Sequence, residues 1–265
     1  MTFQDIQSKI NLNKALDFGD VFNKSIELFK KSWVNGLILQ LFLILMALPF
    51  VIIIYAPLVI MMIAQQESGY SDTESFNTFF AGFSILYLVL IFVGIMIMSV
   101  VQLALTAGFF RVLKALDHNE LVKTSDLFYF LKGKYFGRIV LLMLASFIIA
   151  VVAMLLCFIP IFYAMIPLSF FTIMFAFNPD LGTGDLVRLC FSIGTKKWLI
   201  TFGLIFVASL LASFVGFLLC GIGAFVTAAF TYHPIYFIYK EVVGFDDDNE
   251  ELKRIGNDTN FDATI

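Results

Sequence analysis

Lysine and arginine occur only in alternate intervals between long apolar segments, and this pattern constrains the fold more than any other feature of the chain. Six segments contain no Lys, Arg, Asp or Glu: Leu37–Ala64, Phe79–Phe110, Ile139–Phe158, Ile159–Phe177, Leu199–Leu218 and Cys220–Tyr239. Five basic residues precede the first (Lys9, Lys14, Lys24, Lys30, Lys31), and six lie between the second and third (Arg111, Lys114, Lys123, Lys132, Lys134, Arg138). Three lie between the fourth and fifth (Arg188, Lys196, Lys197) and three follow the sixth (Lys240, Lys253, Arg254), which accounts for all 17. A bilayer core about 30 Å thick asks for roughly 20 apolar residues per helix, and short basic loops stay on the cytosolic side. The expectation is an all-α, polytopic membrane protein with six transmembrane helices and both termini in the cytosol. The localisation expected is the cytoplasmic (inner) membrane of a bacterium.

Composition agrees with this reading. The chain is 60% hydrophobic and 14% charged, and a soluble protein needs charge on its surface where these runs have none. Apolar and polar residues do not alternate at period two, which argues against an outer-membrane barrel. Residues 1–33 are polar and charged, and the first apolar run is too long for a secretory h-region, so it is expected to act as an uncleaved insertion signal. The basic residues suit anionic lipid headgroups at the cytosolic face. No basic stripe with interleaved aromatics lies outside these belts, so nucleic acid is not an expected partner.

The intervals before the first, third and fifth segments read alike. Asp20-Val21-Phe22 leads to Lys31-Ser32-Trp33, and Asp185-Leu186-Val187 to Lys196-Lys197-Trp198, with Trp 13 residues after Asp in both. Asp126-Leu127-Phe128 leads to Lys134-Tyr135-Phe136, with Tyr 9 residues after Asp. The same offset separates Cys157, 31 residues after Asp126, from Cys220, 35 after Asp185. This predicts three parallel repeats of an amphipathic helix plus a transmembrane hairpin, about residues 15–110, 122–178 and 181–240, related by an axis along the membrane normal. Together they form one membrane domain over 1–240, followed by an acidic tail, 241–265, expected to be disordered. In the first unit Phe22, Ile26, Phe29 and Trp33 mark one helical face, which predicts a helix lying in the inner interface or packed on the ends of the bundle. Trp33, Tyr135 and Trp198 are the expected interfacial anchors. Gln65–Asn77 forms a polar outer loop, while the other two hairpins turn sharply. Pro49, Pro57, Pro167 and Pro234 are expected kinks, tolerated where neighbours satisfy the freed carbonyls. Ala208, Ala212 and Gly216, with Ala224 and Ala228, space small residues for close helix packing.

Chemistry is sparse. His233, before Pro234 in an apolar segment, is the sharpest candidate because an ionisable group at membrane depth signals function. Its bland alternative is a neutral imidazole bonded to a carbonyl or a neighbouring helix, and no intramembrane carboxylate offers a proton relay. Gln40 and Gln102, with Ser99 and Thr106, are the other polar groups a midplane site could use. Two histidines in separate compartments cannot build a multi-histidine iron site, and no metal or other cofactor is expected. The acidic run Asp246–Glu251 lacks the glycine of a calcium loop. No phosphate loop or nucleophile elbow occurs, so no catalytic residue is assigned.

Gly19-Asp20-Val21-Phe22 leading to Lys31-Ser32-Trp33, its counterpart Gly184-Asp185-Leu186 leading to Lys196-Lys197-Trp198, and the late Gly221-Ile222-Gly223 turn carry a resemblance. The chain is similar over residues 15–240 to bacterial membrane proteins that include the membrane-domain family of glycerophosphoryl diester phosphodiesterase and YciC-like inner-membrane proteins. In that family a separate soluble domain does the phosphodiesterase chemistry, and none is present here. The resemblance therefore implies a non-enzymatic membrane protein that handles lipid or another hydrophobic molecule, or supports envelope assembly. The alternative is a secondary transporter of a small solute.

Overall fold

The computed structural model describes residues 1–68, 85–156, 159–219 and 221–245, and they are helical with no strand among them. Among the described residues, five helical stretches are long and apolar enough to cross a membrane: Phe18–Ala56, Tyr87–Asp117, Gly133–Leu155, Pro160–Phe177 and Trp198–Leu218. The sequence expectation of a helical, multi-pass membrane protein holds at that level.

The chain opens with α1, Phe3–Asn11, whose Thr2 and Asp5 form a reciprocal capping box. Ile6 and Ile10, one turn apart, are buried against the rest of the molecule. A turn with Asn13 in the left-handed region, which asparagine tolerates, leads into α2, Phe18–Ser68. No break separates the expected amphipathic helix from the first apolar segment, because nothing between Trp33 and Leu37 interrupts the hydrogen-bond ladder. The first unit thus has no separate interfacial helix, and α2 also runs past Ala64 to Ser68. Helix α3, Ile85–Asp117, carries the second segment seven residues beyond Phe110. The middle unit begins with a 3-10 segment, Thr124–Leu131, not an α-helix, and enters α4 at Gly133–Leu155.

The fourth segment is divided into α5, Ile159–Ser169, and α6, Phe171–Phe177, just after Pro167. Helix α7, Thr183–Lys196, is a discrete helix that buries Leu186, Leu189, Cys190 and Ile193, and it is separated from α8, Trp198–Leu218, at Lys197. The sixth segment is not one helix. It divides into α9, Ile222–Thr227, a 3-10 turn at Ala228–Thr231, and α10, Tyr232–Val242. At about 1.5 Å per residue in α-helix the set is still roughly as long as α8. The three expected amphipathic elements therefore take three local forms: a continuous extension of α2, a 3-10 segment and a free helix. The outer-loop residues from 69 onward, Cys157, Cys220 and the tail from 246 lie outside the described residues.

Prolines explain much of the local design. A proline leaves the carbonyl four residues earlier without its intrahelical donor. Pro57 frees Ile53, whose carbonyl accepts from the Tyr87 hydroxyl at 3.0 Å. Pro167 frees Tyr163, whose carbonyl accepts from the Trp198 indole N–H at 3.2 Å. Pro234 frees Phe230, whose carbonyl lies 3.2 Å from His233 Nδ1. In each case a side-chain donor supplies what the proline lacks, as burial away from water demands.

Close contacts use small residues. A Cβ on Gly36 would meet the Ala229 Cβ at 2.8 Å, and one on Gly216 would meet that of Ala224 at 3.0 Å. One on Gly194 would lie 2.6 Å from Pro167 Cα, and one on Gly108 only 2.1 Å from the Leu127 carbonyl oxygen. The buried core gathers toward the charged end, around Phe109, Phe110, Phe130, Phe171, Phe175, Tyr236 and Tyr239. The far halves of α2 and α3 instead expose Leu45, Ile52, Ile60 and Leu88, the outward apolar surface acyl chains would cover.

Candidate functional site

All four basic intervals meet at one end of the bundle. Lys14 and Lys24 reach Glu241 at 2.5 and 3.1 Å, and Lys240 reaches Asp117 at 2.6 Å. Lys31 donates to Asn119 Oδ1 at 2.9 Å, and Arg138 pairs with Asp180 at 3.0 Å. Lys196 and Lys197 reach back to Asn11 and Asn13, at 2.7 and 2.8 Å. Lys14, and after it Lys24, hold the Glu241 carboxyl below the usual carboxylate range. Lys197 is buried, which lowers its pKa, and it also donates to the Lys14 carbonyl at 2.6 Å. These contacts strap α1 and its following turn across α7 and the end of α10. Sequence reasoning missed α1, although its Thr2–Asp5 box and its Ile6–Ile10 pair are visible signals.

A cleft of about 710 Å³ opens at this end, walled by α3, the 3-10 segment, the end of α6 and Phe245. Its cationic groups are Arg111 and Lys114, and its carboxylates are Glu120 and Asp126. Asp126 accepts from the Lys123 backbone N–H at 2.9 Å, which fixes the start of the 3-10 segment. The Arg111 guanidinium stands 3.9 Å from the centre of the Tyr129 ring, and Lys132 Nζ lies 5.4 Å from the same ring. Tyr129 and Tyr135 hydroxyls are 3.3 Å apart, and Lys134 Nζ lies 5.4 Å from the Tyr135 ring. The hydrogen bond from Tyr135, then Arg111, Lys134 and Lys132, draw the Tyr129 hydroxyl below the ordinary tyrosine range, against its partial burial. A second cleft of about 320 Å³ lies between α2 and α10, lined by Lys24, Glu27, Lys31, Asp117, Lys240 and Glu241.

The sequence candidates at membrane depth do not converge. His233 is fully buried, with Nε2 2.7 Å from Ser32 Oγ and Nδ1 3.1 Å from the Ala229 carbonyl. Carbonyls only accept, so Nδ1 carries the proton and Nε2 accepts from the serine hydroxyl, a neutral imidazole with both nitrogens used. Phe29, Phe109 and Phe230 close around the ring at 5.5, 6.1 and 5.8 Å. Gln40 is half-buried and Gln102 exposed, and no hydrogen bond joins either to His233. Thr106 bonds Tyr232, and Ser99 bonds its own helix at Ile95. Among the described residues no group of three His, Cys, Asp or Glu is placed to hold a metal ion.

The three expected anchors differ from one another. Trp33 is 44% exposed on α2, in the manner of an interfacial residue. Tyr135 is buried in its pair with Tyr129, and Trp198 is half-buried, stacked on Phe202 at 5.1 Å while its N–H holds Tyr163. The face of α2 that packs inward is Val21, Ser25, Leu28 and Ser32, one residue ahead of the Phe22–Trp33 stripe at every step. Two of these are serines: Ser25 bonds the Val21 carbonyl and Ser32 the histidine, so polarity is satisfied inside while the aromatics flank the contact.

Comparison with known proteins finds no matching family model, no similar curated protein and no similar solved structure.

Proposed function

We propose that this is a non-enzymatic integral membrane protein of the bacterial cytoplasmic membrane that handles lipid or another hydrophobic molecule, or supports envelope assembly. In this reading the chain crosses the bilayer six times as three related units, and its charged end faces the cytosol with both termini. Anionic headgroups are then its partners, and it needs no cofactor. The observation that carries the proposal is the meeting of basic residues from all four intervals at one end, where a cleft lined by Arg111 and Lys114 also has the apolar walls of Val112, Ala176 and Phe177. Headgroups and acyl chains together present that mixture of charge and apolar surface.

A transporter of small solutes remains the competing reading, favoured by the broken sixth segment, since discontinuous helices build midplane sites. Against it, the carbonyl exposed by Pro234 is already taken by His233. Native mass spectrometry of the detergent-purified protein tests the proposal. Phospholipid adducts should survive purification and increase when phosphatidylglycerol is added. A protein that leaves detergent free of lipid, yet takes up a solute saturably in proteoliposomes, would reverse the choice.

A further inference from the structure

We infer that Arg111, Lys132 and the Tyr129–Tyr135 pair form a phosphoryl-binding site, recognising the phosphate of a phospholipid headgroup at the rim of the larger cleft. The inference rests on the lipid-handling reading and locates it.

Arg111 and Lys132 both approach the Tyr129 ring, at 3.9 and 5.4 Å from its centre. Neither they nor Lys134 have a carboxylate within ion-pair distance among the described residues, whereas Lys14, Lys24, Lys30, Arg138 and Lys240 all do. Converging cations without a counter-ion repel, and an anion with several acceptor oxygens relieves that. Stacking leaves the guanidinium edge, with its planar fork of donors, available for bidentate contact with phosphate. One hydroxyl of the bonded tyrosine pair keeps a proton to donate, and after the Tyr135 hydrogen bond the charges of Arg111, Lys134 and Lys132 also lower the Tyr129 pKa.

Position favours a lipid over a free anion. Arg111 follows directly on the apolar run of α3, and Lys132 and Lys134 flank the first residue of α4, so the cluster sits where two spans emerge. Exposed Leu131 and Phe136 lie beside it, at the level where headgroup meets acyl chain. Glu120 and Asp126 line the same cleft and would oppose a bare anion, but they suit a headgroup that also carries an ammonium.

The test is titration of the detergent-solubilised full chain with phosphatidylglycerol, read by native mass spectrometry. The variants are R111Q/K132Q, a control with equal charge loss elsewhere at the same end, K30Q/R188Q, and the charge-conserving R111K/K132R. Two charge-assisted contacts predict a loss of about tenfold or more for R111Q/K132Q. The control should change by less than about twofold, as expected of exposed charges away from the contact. R111K/K132R should bind more tightly than R111Q/K132Q, which separates lost charge from lost fold. Millimolar inorganic phosphate should not displace the lipid. Equal weakening by R111Q/K132Q and K30Q/R188Q would reduce the site to diffuse surface charge and overturn the inference. So would unchanged binding in R111Q/K132Q, or displacement by phosphate alone. If the unaltered protein binds no phospholipid at all, the lipid-handling reading itself fails.

Discussion

Gly108→Ala should destabilise the protein by about 2–3 kcal/mol, the upper range for a side chain forced into a packed site. The new methyl would fall 2.1 Å from the Leu127 carbonyl oxygen and 2.7 Å from its carbonyl carbon. Those are backbone atoms of the 3-10 segment, and Leu127 and Phe130 on either side are buried, so the segment cannot give way as a flexible side chain would. Helix propensity acts in the opposite direction, favouring alanine by about 1 kcal/mol, but it is smaller than the clash. Gly137→Ala in α4 isolates that smaller term, because nothing lies within 4 Å of the position its Cβ would take. It should be neutral or stabilising by about 0.5–1 kcal/mol. Thermal unfolding in detergent distinguishes the two. Equal effects would mean that α3 and the 3-10 segment are not in contact at Gly108.

The second large effect concerns His233. His233→Leu removes the partner of Ser32 and leaves the Phe230 carbonyl, freed by Pro234, without a donor in a buried site. An unsatisfied buried acceptor costs about 1–3 kcal/mol, and a loss near 2 kcal/mol is expected here. Ser32→Ala should cost less, about 1 kcal/mol, because the carbonyl contacts survive. The double variant should cost less than the sum, since both single changes break the same bond. His233→Gln keeps a donor and should retain both fold and lipid binding. A stable Gln variant without function would instead make His233 a working group and move solute transport ahead.

The contacts of the charged end were legible from sequence because segregation of charge is a long-range signal that survives local detail. Lys14 and Lys24 each lie more than two hundred residues from Glu241, yet all three sit in intervals the pattern assigns to the same end. Prolines were legible as strained points, but not their remedies. Tyr87, Trp198 and His233 complete carbonyls on remote or neighbouring turns, and nothing local in the sequence names those pairs. The serine-bearing inward face of α2 was not marked in the sequence, for a physical reason. In lipid, apolar character does not mark burial, so the aromatic stripe Phe22–Trp33 drew attention from the serine-bearing face that packs. The continuity of α2 and the 3-10 form of Thr124–Leu131 were also hidden, since three similar motifs suggested three similar elements. Of the proposed phosphoryl cluster, the sequence showed Arg111, Lys132 and Lys134 as basic residues of one interval. The approach of Arg111 and Lys132 to Tyr129, and of Lys134 to Tyr135, needed the fold of the 3-10 segment against α3.

A site for cytosolic headgroups has meaning only if the charged end of the bundle faces the cytosol. Site-directed labelling in a variant lacking the three native cysteines measures it. A single cysteine placed at Ser71 should react with an impermeant thiol reagent added to intact cells. One placed at Asn119, in the turn held by Lys31, should react only after the membrane is opened. Labelling of both positions from outside, or of Asn119 alone, would contradict the six-crossing arrangement and the function built on it.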